Sequence, residues 1–320
     1  MSDFLLIVPD QLAGETFENC SVIHGRGRWP NMADVPSDAH LTSPFVAATH
    51  STNADVVRQM LAVLEKMRHN DRRVVFAEDA VPGTLRSLFP DALSSFIQRV
   101  LPCDLLCVST AAALKSTGRD SMLEFLLAGE VHTAALAAPP CLERFPDAGP
   151  GQAGAGTGIS PTQLAVALNS ALSHTKLSES DKKCMTAGIL LLWDFLDESH
   201  EISQSMEGKG IPRTADYWHG IMHRREPDAG NASYWFRRVG KHPALKSLAE
   251  NLDRWIAETR TPEDEQDLAR QLVIEEGSFD PFVMIELTTK ALRAPGQLEA
   301  RTIRRVQYLE ILNLLACSFG

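Results

Sequence analysis

From residue 164 to residue 318 the chain is a train of amphipathic segments, each with apolar residues three or four apart and each joined to the next by a short polar loop. Such a pattern leaves one class of structure, because helices tethered this closely pack as antiparallel neighbours. The periodicity predicts helices over 164–173, 182–195, 198–207, 215–225, 229–239, 244–258, 264–275, 281–292 and 298–318. Their starts carry fitting caps. Asp280 precedes Pro281 as an N-cap before a proline at the first helical position, and Thr261-Pro262-Glu263-Asp264 is an acidic helix start. The apolar run from Tyr308 to Phe319 suits either the middle of a bundle or a dimer interface.

Upstream the pattern changes. Phe4-Leu5-Leu6-Ile7-Val8, Val74-Val75-Phe76-Ala77 and Leu105-Leu106-Cys107-Val108 are short, apolar and bounded by turn residues, as buried strands are. Between the first two lies 54–68, with Val57, Met60, Leu61, Leu64 and Met67 at helical spacing and Asn53 placed to cap it. A further helix is expected over 121–127 and a closing strand over 131–138. The Pro- and Gly-rich stretch 141–161 has neither period and reads as a linker. Its Gly154, Gly156 and Gly158 lack the preceding strand that a phosphate-binding loop needs. The expected fold class is therefore α+β overall: an N-terminal α/β domain over 1–140, the linker, and an all-α antiparallel helical-hairpin domain over 162–320.

The 320 residues carry 31 Lys and Arg against 41 Asp and Glu, a net charge of -10 that opposes a nucleic-acid or anionic-membrane partner. There is no apolar run long enough to span a bilayer and no secretory-type start, so a cytoplasmic protein without a membrane partner is expected. Six cysteines without a CxxC pair fit reduced thiols, with Cys103 and Cys107 as core around a strand. The basic loop at His24-Gly25-Arg26-Gly27-Arg28 and Asp79, after the Val74 strand, are isolated signals.

Side chains that carry chemistry concentrate between Asp194 and Pro243. His219 and His223 are four apart and share a helix face, which Glu226 joins if the helix reaches it. Asp197 and His200 form a similar pair on the preceding helix. Were the two helices adjacent, Asp197, His200, His219, His223 and Glu226 would assemble a site for a divalent metal such as zinc. Position 220 is Gly, so the HExxH arrangement of metalloproteases is absent. A second reading groups Arg224, Arg225, Arg237, Arg238, Lys241 and His242 as a clamp for carboxylate or phosphate, with Tyr217, Trp218, Tyr234 and Trp235 available to stack on a ring. The structural alternative puts His223 at an aromatic packing position, His219 in a cap or at the surface, and Glu226 in a pair with Arg224 or with a neighbouring helix.

The same segment resembles a tetratricopeptide or Sel1-like hairpin: small Gly220, His223 three later, Ala232 twelve on, Phe236 four beyond, and Pro243 near the end. Shifted back by 33 residues, Ala187, Leu190 and Ser199 repeat the skeleton, while Phe236 maps to Ser203. With its YWFRRVG segment it is similar to a bacterial family of helical-hairpin proteins. The repeat resemblance implies a surface for a protein partner. In the first half, the run from Phe45-Val46-Ala47-Ala48-Thr49-His50 to Arg73-Val74-Val75-Phe76 resembles the C-terminal lobe of nickel-pincer lactate racemase-like proteins, without that family's Lys or His motif. The leading functional expectation is binding of a small anionic molecule by the Arg, His and aromatic residues of the helical domain, the α/β domain completing the site. The alternatives are a metal-dependent His/carboxylate enzyme and a helical-repeat scaffold.

Overall fold

The computed structural model describes residues 4–24, 35–39, 43–49, 51–67, 72–77, 105–115, 132–136, 149, 160–173, 175–209, 213–258, 262–274, 276–295 and 297–318. The expected helix over 121–127, the glycines at 154–158, Cys103, Asp79 and the basic loop after His24 lie outside them. The protein is α+β. Among the described residues, those up to 136 together with Ser160 form one compact unit, and Gly149 with 161–318 forms the other.

The first unit is built on a six-stranded mixed sheet. Its strands are β1 (Phe4–Val8), β2 (Cys20–His24), β3 (Phe45–Thr49), β4 (Arg72–Ala77), β5 (Leu105–Ser109) and β6 (His132–Leu136), in the spatial order β2-β1-β3-β5-β4-β6. β1 is buried along its whole length because it is flanked by parallel partners on both edges, Phe4 registering with Cys20 on one side and Phe45 on the other. β5 runs antiparallel to both β3 and β4, so the sheet is mixed. Helix α1 (Ala54–Lys66) starts where Asn53 accepts from the backbone N–H groups of Asp55 and Val56. It lays Val57, Met60, Leu61 and Leu64 against Phe4, Leu6, Val8, Ala47, Leu105 and Cys107, the residues of one sheet face at the strand period of two. A short helix, α2 (Thr110–Lys115), follows β5 directly.

The second unit is helical: α3 (Pro161–Leu172), α4 (Glu179–Leu192), α5 (Leu196–Ser205), α6 (Thr214–Arg225), α7 (Ala229–Val239), α8 (Pro243–Glu258), α9 (Glu263–Arg270), α10 (Pro281–Arg293) and α11 (Leu298–Cys317). Ser178 caps α4, Asp228 caps α7, and Asp280 caps α10 by accepting from Phe282 and Val283 N–H. α4 breaks earlier than its apolar run suggests, at Asp194, whose φ of 61° turns the chain into α5. α6 and α7 form a close hairpin: a Cβ at Gly220 would sit 3.0 Å from the Phe236 ring, so any larger residue would push the ring back by a few tenths of an ångström. α11 is buried on nearly every face, and the apolar run from Tyr308 to Ala316 packs inside its own unit.

α6 is the other core helix, since each residue from Thr214 to Arg225 is buried although half of them are polar. Two ion pairs make this possible. Arg224 lies against Glu310 of α11, with Nη1 donating to Oε1 at 3.2 Å and Nη2 donating to Gln307 Oε1 at 3.3 Å. Arg225 pairs with Asp194 at the α4–α5 turn and donates to the carbonyls of Leu191 at 2.7 Å and Gly149 at 3.4 Å. Removing one partner of such a pair strands a buried charge. Glu310→Ala should therefore lower unfolding free energy by about 3–5 kcal/mol, measured in urea at pH 7, whereas exposed Glu286→Ala should change it by less than about 1 kcal/mol.

Candidate functional site

The α5–α6–α7 layer brings three imidazoles together. His219 and His223, one turn apart on α6, stack with centroids 4.8 Å apart and planes 15° from parallel. His200 on α5 meets both edge-on, at 4.7 and 5.2 Å. One ring nitrogen from each lies within 4.8 Å of the other two. The other face of His219 is closed by Trp235 of α7, stacked at 3.8 Å. That helix buries Ala232, Trp235, Phe236 and Val239 at helical spacing, which aims Trp235 at α6.

Burial disfavours the charged form of His219 and His223. Burial pulls His219 down to about 3, with the neighbouring His223, His200 and Arg238 pushing the same way. Burial also lowers His223, opposed by Glu226, whose Oε2 is 3.1 Å from His223 Nδ1. A neutral imidazole with Nδ1 held by a carboxylate presents Nε2 as a free lone pair. His219 is more unusual. It is 1% exposed, and neither ring nitrogen has a hydrogen-bond partner among the described residues. Leaving such a group unsatisfied costs about 1–3 kcal/mol, so packing gives no account of it.

The remaining candidates are placed differently. Asp197 is exposed on α5 and is not part of the cluster, because the buried side of that helix is formed by Leu196, Ser199 and Ser203. Glu226 caps the end of α6 and lies against His223 Nδ1, outside the three-histidine group, and Arg224 pairs with Glu310 instead. Arg224 and Arg225, expected in an anion clamp, are interior ion-pair partners with fully buried side chains. Tyr217 and Trp218, expected to stack on a ligand, are core: Tyr217 meets Phe236 and His242 edge-on, and Trp218 fills the space left by Gly188. His242 caps α8, its Nδ1 accepting from Ala244 N–H at 3.1 Å and its Nε2 3.4 Å from Thr214 Oγ1.

Arg238 and Tyr234 stay at the surface beside the trio. The Arg238 guanidinium lies 5.1 Å from the Trp235 ring and pairs with Glu207 at 2.6 Å and with buried Asp216 at 3.5 Å. Asp216 also accepts from Gly208 N–H at 2.8 Å. Arg237 is exposed over Phe282, and Lys241 is exposed as well. A separate groove of about 570 Å³ between α3, α4 and α5 contains Lys182, already paired with Glu179, and none of the three histidines.

Sequence spacing found His219 and His223 and offered His200 as their neighbour. It missed Trp235 as a wall of this cluster and Glu310 as the partner of Arg224, which lies 86 residues away and leaves no local signal. Comparison of the chain with protein-family models, with curated proteins and with solved structures finds no match, so the reading of the site rests on its own geometry. No helix among the described residues is long and apolar enough to cross a membrane.

His242 supplies a pH test away from the trio. Burial holds it at about 4, below its ordinary 6.5, so between those values the unfolded chain binds the extra proton. Its contribution is complete above about pH 6.5 and is lost as pH falls through 4, where protonated Nδ1 no longer accepts from Ala244. Between pH 7 and pH 4 the wild type should lose on the order of 2–3 kcal/mol more unfolding free energy than His242→Gln, measured by urea titration at each pH.

Proposed function

We propose that the helical unit binds a first-row divalent metal ion, zinc being the best fit, through His200, His219 and His223. The observation that carries this is His219, a buried imidazole without a hydrogen-bond partner among the described residues and facing two more imidazoles. Points no more than 4.8 Å apart all lie within about 2.8 Å of a common centre, and zinc–nitrogen bonds are about 2.0–2.1 Å. Side-chain rotations of less than about 1 Å close that difference. Three neutral nitrogen donors without thiolate suit zinc, copper or nickel better than calcium or magnesium, which take oxygen. Glu226 supplies the carboxylate that commonly orients a ligating imidazole.

Three protein ligands leave at least one coordination position, as in zinc sites that polarise water or a substrate oxygen. His219 and His223 are buried while His200 is half-buried, so the ion's free position opens on the His200 side. His200→Ala removes a donor at the least buried of the three positions and should leave the apoprotein's fold intact. Protein purified without a polyhistidine tag and stripped with chelator should bind one zinc per chain and gain about 2.7 kcal/mol of stability at 100 times the dissociation constant. His200→Ala should abolish that gain. Zinc that leaves the wild-type melting temperature unchanged would overturn the assignment.

A further inference from the structure

The charge of the cluster says what the free position would take. Imidazole binds a metal ion as a neutral donor, so three of them would leave the ion's two positive charges unneutralised by any protein group that touches it. Two acids act on His223: Glu226 on its Nδ1, and Asp228, whose oxygens accept from Asn231. On the His219 side, Arg238 lies over the Trp235 ring that covers this imidazole, its charge shared with Glu207 and Asp216. Asp197, the remaining acid raised by the spacing argument, is exposed and apart from the cluster.

The arginines that composition would assign to an anion are themselves committed. Arg224 is spent on Glu310, Arg225 on Asp194, and Arg238 on Glu207 and Asp216. Arg237 lies in the open over Phe282. Of the positive charge in this part of the unit, that of a metal ion would be the part lying against the three imidazoles. Resting on the metal assignment above, we infer that the trio is a metal-dependent receptor for a small oxyanion, carboxylate or phosphate, bound as an exogenous ligand to the ion on the His200 side. In this arrangement the oxyanion displaces a neutral water and brings the negative charge that the protein withholds from the first coordination sphere. Glu226 tunes its affinity from behind His223, as a positioning group that repels the incoming anion while it holds the imidazole.

Cobalt separates this inference from the metal assignment itself. Untagged, chelator-stripped protein loaded with one equivalent of Co(II) should show visible d–d absorption that acetate and inorganic phosphate, added separately at constant ionic strength, each change along a saturating curve. The stronger of the two identifies the oxyanion class. Glu226→Gln keeps an acceptor for His223 Nδ1–H and removes a charge, so it should tighten the anion's apparent affinity roughly fivefold. A purely structural role for Glu226 would not move that affinity. If cobalt binds one to one and neither anion alters its spectrum, the site is closed to oxyanions and this inference fails while the metal assignment stands. If cobalt does not bind to the wild type, both fall.

Discussion

The buried pairs Arg224–Glu310 and Arg225–Asp194 are the constraint on which the helical unit depends. A helix reading TADYWHGIMHRR has the composition of a surface element, yet it lies in the interior. Burying two guanidinium groups is expensive, and the Coulombic return offsets that cost only where geometry is good and the remaining donors are met. The terminal nitrogens meet these conditions: Arg224 reaches both oxygens of Glu310 and the amide oxygen of Gln307, and Arg225 adds two backbone carbonyls to its carboxylate, while the Nε of each has no partner among the described residues. Both arginines also sit in the last turn of α6, where cations are favoured by the helix dipole.

These pairs fix more than stability. Arg224 ties the end of α6 to α11, and Arg225 ties it to the turn between α4 and α5. With the turn anchored, the start of α5 is set against α6, and His200 meets the two histidines one helical turn apart on α6. Gly220 does the corresponding work on the α7 side, where the absent Cβ lets Phe236 close in and brings Trp235 onto His219. The trio is thus held by elements on both sides of α6, which is how a scaffold keeps a constellation within reach of a small ion.

What the sequence made legible follows from the range of each interaction. Helix existence and many caps are local, and Asn53, Asp280 and the α6–α7 hairpin stand where spacing put them. The His219 and His223 pairing is also local, four residues on one helix. The fate of Arg224 and Arg225 is not, because nothing near them in sequence says that their helix is buried all round or that Glu310 and Asp194 await them. Tyr217 and Trp218 were read as ligand-facing for the same reason. β2 and the reversed direction of β5 were missed because pairing direction is decided by distant strands and not by the strand's own five residues.

Buried polar atoms without a partner on α6 include Tyr217 Oη and Trp218 Nε1, but among its charged and imidazole side chains His219 alone has no polar partner among the described residues. Of the charged and imidazole side chains on α6, Asp216 has Gly208 N–H and two arginines, His223 has Glu226, and Arg224 and Arg225 have their carboxylates. His219 has aromatic faces on both sides and no polar partner among the described residues. Were its role only to fill space between Trp235 and His223, a phenyl ring would do so without the desolvation cost of two ring nitrogens. On the proposed reading those nitrogens would have an electrophile to bind, together with the ring nitrogens of His200 and His223 within 4.8 Å.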